Sequence, residues 1–243
     1  MRKALYILAF FIFFFLFLYL TFPFKRVAES YLCSLNLNYK ELEVKRFPLR
    51  LSLKGVELPG LPFLVERLSL EPSLTTLLSS KKRVKFRAEL CGGRAEGYFT
   101  YPLGTVNYTL KSVELKECFR GSVKSGELSS AGSLEFKRGE LTGGSGDFTV
   151  KNLSLEGLSF GLLKAPELRF NRVDGLYRVK GKNLVEIEAQ GEGDEARFKA
   201  TGVLNYNPRA PMSSYLSLKL AFNLKGSEFK FNVRGSLNTL RLQ

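Results

Sequence analysis

The pattern of apolar and polar positions changes once along the chain, near residue 25. Before that point, residues 4–20 carry no charge and no strongly polar side chain. A helix rises about 1.5 Å per residue and crosses a hydrocarbon core about 30 Å thick in about 20 residues. The pattern therefore predicts a membrane anchor within residues 1–24 and a separate domain over residues 25–243. Its predicted anchor residues are Ala4, Leu5, Tyr6, Ile7, Leu8, Phe10, Phe14, Leu18, Leu20 and Phe24.

Two other interpretations of the apolar run are weaker. A cleaved secretory signal has an apolar core of about 7–15 residues followed by small residues, whereas this run is longer and ends in the bulky, charged segment Phe22–Arg26. A core helix of a globular domain is less favoured, because this run is apolar on every face. We therefore expect an uncleaved, single-pass anchor.

Flanking charges do not fix the orientation of this anchor. Arg2 and Lys3 precede it, and Lys25 and Arg26 follow it, so the two sides nearly cancel. The very short N-terminal tail favours a cytoplasmic N-terminus. This orientation would place the domain outside the cytoplasm.

After the anchor, a helical pattern continues only briefly. Lys25–Cys33 has the composition of a short helix, with Pro23 at its start or at a kink. Ser73–Ser80 predicts one further helical turn, because Ser73 can cap it and its leucines share a face.

The remainder alternates between apolar and polar residues with a period of two. Short alternating runs separated by Gly, Asn or Pro predict antiparallel hairpins with one apolar face. The fold class is therefore all-β: a long, strongly curved antiparallel sheet with one or two short helices. It can close as a barrel, fold as a sandwich or stay open as a trough. The clearest strands supply a candidate apolar groove, formed by Phe198, Leu218, Leu220, Phe222, Phe229 and Phe231.

The chain is strongly basic, with 37 Lys and Arg against 23 Asp and Glu, a net charge of +14. Such a charge is found in proteins that bind nucleic acids or anionic membranes. Only Lys81–Arg83 forms a run of three bases, and most other bases alternate with apolar residues as on the solvated face of a strand. We expect no nucleic acid, and weak attraction to anionic lipid beside the anchor.

Residues for catalysis and metal binding are scarce. The chain has no histidine, which excludes Ser-His-Asp and Cys-His sites and leaves a zinc site improbable. Cys33, Cys91 and Cys118 show no C-x-x-C spacing, and at most one bridge can form. Cys91 with Cys118 is the pair to test, but three reduced thiols are the expectation. We predict a non-enzyme without cofactor or metal.

Two motifs suggest chemistry but have simpler explanations. Gly143–Gly146 is glycine-rich like a phosphate-binding loop, yet it lacks the following Lys and precedes a strand, so a hairpin turn is preferred. Glu186 and Glu188 share a strand face, where glutamates solvated opposite lysines are favoured over catalytic carboxylates.

The order of several motifs resembles the type II secretion system protein N family, in its short bacterial form with a single anchor. Each motif alone is generic, and the match lies in their order and spacing. The motifs are Leu20–Phe24, Leu53–Leu58, Leu77–Ser80, Leu90–Gly97, Gly132–Phe136, Leu141–Gly146 and Asn152–Gly157.

This resemblance implies an inner-membrane protein whose periplasmic domain is an accessory part of the machine that exports folded proteins. The strands also look like those of AsmA-like, TamB-like and LptC-like proteins, which carry β-rich grooves implicated in lipid handling. Two functions therefore stay open: docking of other secretion proteins, or holding acyl chains. Phe198, Phe222, Phe229 and Phe231 separate them, because a second layer over them indicates a scaffold and an open concavity indicates a lipid groove.

Overall fold

The alternating sequence folds into one long antiparallel sheet. The computed structural model describes residues 10–11, 13–14, 17, 19–34, 37–58, 62–73, 79–102, 104–119, 123–156, 159–160, 163–164, 167–224, 226–237 and 241–242. Within these residues the chain is all-β apart from short helices, as the period of two predicts.

Besides the helical residues 10–11, 13–14, 17 and 19–21, the described chain contains two α-helices and sixteen strands. The helices are α1 (Phe24–Ser34) and α2 (Leu115–Cys118), with a single 3-10 turn at Pro211–Ser213. The strands are β1 (Glu41–Lys45), β2 (Arg50–Glu57), β3 (Leu64–Pro72), β4 (Lys82–Leu90), β5 (Gly93–Tyr101), β6 (Thr105–Glu114), β7 (Val123–Lys137), β8 (Glu140–Leu155), β9 (Ser159–Phe160), β10 (Leu163–Lys164), β11 (Leu168–Gly181), β12 (Leu184–Glu192), β13 (Ala196–Asn205), β14 (Tyr215–Leu224), β15 (Ser227–Ser236) and β16 (Arg241–Leu242).

Strand order follows chain order. Fourteen strands form one sheet in the sequence β1 to β8 and then β11 to β16, while β9 and β10 make a separate two-stranded ribbon between β8 and β11. Every paired strand in the described chain is antiparallel to its neighbour. Because β1 and β16 lie at opposite ends of this order, the sheet is open, and of the three forms left by the sequence the closed barrel is not adopted.

The helix predicted over Lys25–Cys33 is confirmed as α1. Its first turn closes when the amide of Val27 donates to the carbonyl of Pro23 over 3.1 Å, so the proline lies just before the helix. Leu32 is buried against β1 and β2. The helical turn predicted over Ser73–Ser80 falls mostly outside the described residues.

Several glycines predicted to be turns lie inside strands. Gly143–Gly146 is part of the 16-residue strand β8, so the predicted hairpin turn there is wrong, and the turn is formed by Arg138 and Gly139 instead. Gly175 lies within β11, and Gly55 lies within β2. Three strands consequently reach 14 to 16 residues, longer than the alternation suggests.

A disulfide bond joins the β4–β5 turn to α2. Cys91 and Cys118 are bonded with their Cα atoms 5.4 Å apart, and both are buried beside Val113. The expectation of three reduced thiols is wrong for this pair, because the return of β6 beside β5 brings the two segments together. Cys33 is free and exposed on α1.

Candidate functional site

One face of the sheet is apolar across its whole width. Strand register aligns one residue from each of β1 to β8 and β11 to β15 into a row, in which every member is apolar, Gly or Tyr. This central row is Val44, Leu51, Leu70, Phe86, Gly97, Tyr108, Gly132, Gly146, Tyr177, Ile187, Gly202, Leu218 and Val233. All thirteen are only partly buried.

A second row on the same face runs parallel to the first. Its members are Leu42, Leu53, Leu68, Ala88, Ala95, Leu110, Ser130, Phe148, Gly175, Ala189, Ala200, Leu220 and Phe231. Ser130 is its one polar residue. We call the side of the sheet that bears these two rows the apolar face.

The opposite side of the sheet is polar in the same register. The row between the two apolar rows is Ser52, Ser69, Arg87, Glu96, Thr109, Ala131, Asp147, Leu176, Glu188, Thr201, Lys219 and Asn232. Glu186 lies on this side too and pairs with Lys180 over 3.2 Å, as the solvated interpretation predicts. The sheet is therefore amphipathic.

Aromatic rings lie over glycines on the apolar face. Phe148 covers its registered partner Gly175, and Phe198 covers its partner Gly191. A Cβ at either glycine would overlap the ring. The glycines are therefore positions where a ring from the next strand occupies the space of the missing side chain, which is why the chain does not turn there.

Two tyrosines meet near the middle of this face. Tyr177 on β11 extends over Gly146 and Gly132, and its hydroxyl lies 2.7 Å from that of Tyr108 on β6. Burial, followed by the hydrogen bond with Tyr108, raises the pKa of Tyr177. The Tyr177 hydroxyl therefore remains protonated at physiological pH.

The donors in this cluster can be assigned from the acceptors. Ser130 Oγ donates to the carbonyl of Asp147 over 2.7 Å, so its proton is used. Tyr108 must then donate to Ser130, which lies 3.3 Å away, and Tyr177 must donate to Tyr108. The three hydroxyl groups therefore donate in one direction, from Tyr177 through Tyr108 and Ser130 to the carbonyl of Asp147. The Tyr177 oxygen is left as an acceptor on the apolar face.

The six predicted groove residues lie together on the apolar face of β13 to β15. Phe222 is 5% exposed and Phe229 is 40% exposed. The other four are half-buried. Sequence reasoning missed Phe170, whose ring lies 5.0 Å from that of Phe198 and 6.4 Å from that of Phe222. Its alternation with Leu168 was the available signal.

Phe170, Phe198 and Phe222 form a phenylalanine cluster. The residues that pack against this cluster belong mainly to the sheet itself. In the described chain, its neighbours are apolar residues of β7, β8, β11 and β13 to β15, together with Leu115 of α2. No second sheet lies among the described elements, which include only the two-residue ribbon strands besides the main sheet. Phe222 is thus packed, whereas Phe229 remains open.

The first hairpin of the sheet contacts the end of the apolar N-terminal segment. The ring of Tyr19 lies 5.0 Å from that of Phe47, and its hydroxyl donates to the carbonyl of Arg46. The Arg46 guanidinium donates to the carbonyl of Leu20. The β1–β2 turn is therefore held beside residues 19 and 20.

Only part of the predicted anchor can be placed. Phe10, Phe14 and Leu20 are helical and exposed, and Phe24 begins α1. Ala4, Leu5, Tyr6, Ile7, Leu8 and Leu18 lie outside the described residues. A search of the described helices finds none with both the length and the apolar character required to cross a membrane.

No grouping of three or more metal-binding side chains occurs in the part of the chain described above. Two of the three aspartates have structural partners. Asp174 accepts from Arg172 and Thr149, which lowers its pKa, and Asp194 accepts from Asn171. Comparison of the chain with protein-family models, curated proteins and solved structures finds no match.

Proposed function

We propose that this protein is a non-enzymatic, inner-membrane-anchored periplasmic protein that holds the acyl chains of a lipid against the apolar face of its sheet. The observation that carries the proposal is the apolar face itself. It continues across thirteen registered strands, and its central row is only partly buried. A water-soluble sheet rarely leaves so wide an apolar surface without an occupant.

The same strands favour a curved trough over a flat sheet. Twisted open sheets of more than about ten strands usually curl or split, and this one has fourteen. Curling toward the apolar face would shield it from water on three sides and leave a slot for chains. The glycines beneath Phe148 and Phe198 reduce side-chain bulk on that concave side.

Two observations support a location at the periplasmic surface of the membrane. Disulfides persist in oxidising compartments such as the bacterial periplasm, and Cys91 is bonded to Cys118. The β1–β2 turn also contacts the end of the apolar segment at Tyr19, so the apolar face begins next to the predicted anchor.

A second candidate is an accessory component of a type II secretion system, which the order of the sequence motifs suggests. The observation favouring it is the open order of the sheet. Among the described strands, β1 and β16 end this order, and each has a neighbouring strand on one side only. Exposed strand edges are common docking sites for an added strand.

Site-specific photo-crosslinking of the full chain in native membranes tests both candidates. Photoreactive residues at Phe229 and Phe231 would probe the apolar face, and residues at Lys219 and Asn232 would serve as matched controls on the polar side of β14 and β15. Lipid adducts concentrated at the first pair support the lipid groove. Protein adducts at both pairs, without lipid, would overturn it in favour of docking.

A further inference from the structure

We propose that one end of the sheet docks onto the surface of an anionic lipid bilayer. This end includes six strand connections and their flanking residues, which together contain eleven basic residues and one acidic residue. We call it the basic end. Its connections are residues 45–50, 73–83, 101–105, 137–140, 180–184 and 205–214, and its basic residues are Lys45, Arg46, Arg50, Lys81, Lys82, Arg83, Lys137, Arg138, Lys180, Lys182 and Arg209.

The opposite end of the sheet has the reverse charge. Its connections, residues 57–64, 90–93, 114–123, 155–168, 192–196 and 224–227, contain eight acidic and four basic residues. The strongest acidic group is the β12–β13 turn, with Glu192, Asp194 and Glu195. We call this the acidic end.

Strand topology gathers these charges at two separate places. In a sheet whose consecutive strands are antiparallel, every second connection lies at the same end of the strands. The six basic connections therefore share one end, and the six acidic connections share the other. The sequence shows no long run of basic or acidic residues, because basic and acidic connections alternate along the chain. The sheet therefore carries a charge difference between its two ends.

Charges at the tips of the basic end are available to a partner. Lys81, Lys82 and Arg138 are exposed, and in the described chain no acidic side chain forms an ion pair with them. Three other basic residues of this end have acidic partners. Arg50 pairs with Glu71, Lys180 pairs with Glu186 over 3.2 Å, and Lys182 in the β11–β12 turn pairs with Glu140 over 2.8 Å. The β3–β4 and β7–β8 connections thus hold uncompensated positive charge.

The contact between the basic end and the apolar N-terminal segment favours a bilayer as the partner. Arg46 and Phe47, in the β1–β2 turn of the basic end, contact Leu20 and Tyr19 at the end of the apolar N-terminal segment. A basic residue near an anionic leaflet strengthens binding by about fivefold, and the attraction fades within a Debye length. The acidic end would be repelled, so the two ends together orient the sheet upright on the membrane.

Lipid crosslinking in vesicles tests this orientation. The full chain is reconstituted in vesicles of phosphatidylcholine, alone or mixed with phosphatidylglycerol, each with a trace of headgroup-diazirine phosphatidylcholine. We expect adducts on peptides 45–50 and 81–83 to be several-fold more abundant with phosphatidylglycerol, to decrease with added salt, and to be absent from 192–196. Equal yields in the two vesicle types, or adducts at the acidic end, would overturn the proposal.

Two double variants with the same charge change provide the control. Lys81→Glu with Lys82→Glu replaces the two lysines at the β3–β4 tip by acidic residues. This change should lower the crosslinking yield at residues 45–50 at least fivefold. Lys199→Glu with Lys219→Glu alters two exposed lysines on the polar side in mid-strand and should leave the yield unchanged. Matching unfolding midpoints show that both fold, and equal loss in both would contradict a specific basic end. The outcome does not depend on whether acyl chains occupy the apolar face.

Discussion

The ring of Phe198 lies directly over Gly191, its registered partner on the neighbouring strand, and takes the space that a side chain at Gly191 would fill. Gly191 is buried by this ring. The same ring contacts Phe170 edge-on at 5.0 Å, so the position of Phe198 determines how the phenylalanine cluster packs. A glycine thereby controls the packing of the apolar face without a side chain of its own.

A methyl group at Gly191 should therefore disturb the apolar face. We expect Gly191→Ala to displace the Phe198 ring and to lower the free energy of unfolding by about 1–3 kcal/mol, as for other overpacked cores. Urea unfolding of the full chain in detergent micelles measures this. Gly181→Ala is the matched control, since nothing lies within 4 Å of a Cβ there. An unchanged midpoint for Gly191→Ala would show that the ring moves away without cost.

These glycines also explain why one predicted turn is a strand in the structure. The period of two gives the antiparallel strands and their faces correctly, because alternation reports which side chains share a side. It cannot distinguish a glycine in a turn from one beneath a ring on the next strand. The pattern therefore predicts a turn at Gly143–Gly146, although strand register places Gly146 beneath Tyr177 within β8. Gly175 likewise lies beneath Phe148 within β11.

Parts of the candidate site depend on contacts that are distant in sequence. Phe198 and Phe222 were identifiable because each belongs to a clean alternating strand. Tyr108 and Tyr177 are 69 residues apart and meet only through the register of the intervening strands. The bond between Cys91 and Cys118 likewise requires β6 to return beside β5. Single-strand patterns contain no information on such pairs.

The donor order in the tyrosine cluster predicts unequal effects of removing the two hydroxyls. Tyr108→Phe removes the acceptor of the Tyr177 hydroxyl proton and leaves that donor unsatisfied. Tyr177→Phe leaves the Tyr108 hydroxyl still donating to Ser130, and only its oxygen loses a donor. We expect a loss of about 1–3 kcal/mol for the first and about 0.5–1.5 kcal/mol for the second. Urea unfolding of both variants measures the difference. A larger loss for Tyr177→Phe would contradict the assigned order.

The disulfide should stabilise the β4–β5 turn against α2. Cys91 and Cys118 are separated by 27 residues, and closing a loop of that size contributes about 3.5 kcal/mol in the chain-entropy model. We expect Cys91→Ser with Cys118→Ser to lower the unfolding midpoint in urea, and reductant to have no further effect on that variant. Cys33→Ser, at the free thiol on α1, should match the wild type.

Thiol counting provides an independent check of the same bond. The oxidised, denatured chain should react with one equivalent of maleimide, at Cys33, and the reduced chain with three. Three equivalents before reduction would contradict the bond and the compartment inferred from it.

Acid should weaken the region around Glu167. The hydrogen bond from Arg169, with a second from Ser154, lowers the pKa of Glu167 from 4.5 to about 2. The unfolded chain therefore binds this proton more readily, so the stabilisation is present above pH 4.5 and is lost as the pH falls toward 2.

The corresponding variant should remove part of this acid sensitivity. We expect Glu167→Gln to show a smaller drop in unfolding midpoint between neutral pH and about pH 3 than the wild type. Lys124 contacts both Glu167, at 3.5 Å, and Glu156, at 3.8 Å. Glu156→Gln is therefore the matched control, because Glu156 is exposed and shares this lysine but not the Arg169 contact. Identical pH profiles for wild type and Glu167→Gln would argue against the Arg169 contact.

Phe222 and Phe229 are registered partners on the apolar face, but they should respond differently to truncation. Phe222 is 5% exposed within the phenylalanine cluster, so Phe222→Ala should cost about 3–5 kcal/mol of unfolding free energy. Phe229 is 40% exposed, so Phe229→Ala should change stability little and instead reduce lipid crosslinking from a photoreactive residue at Phe231. Urea unfolding and lipid adduct yield separate the two effects. If Phe229→Ala left the adduct yield unchanged while Phe222→Ala only destabilised the fold, this part of the apolar face would be a packed core and not a surface for acyl chains.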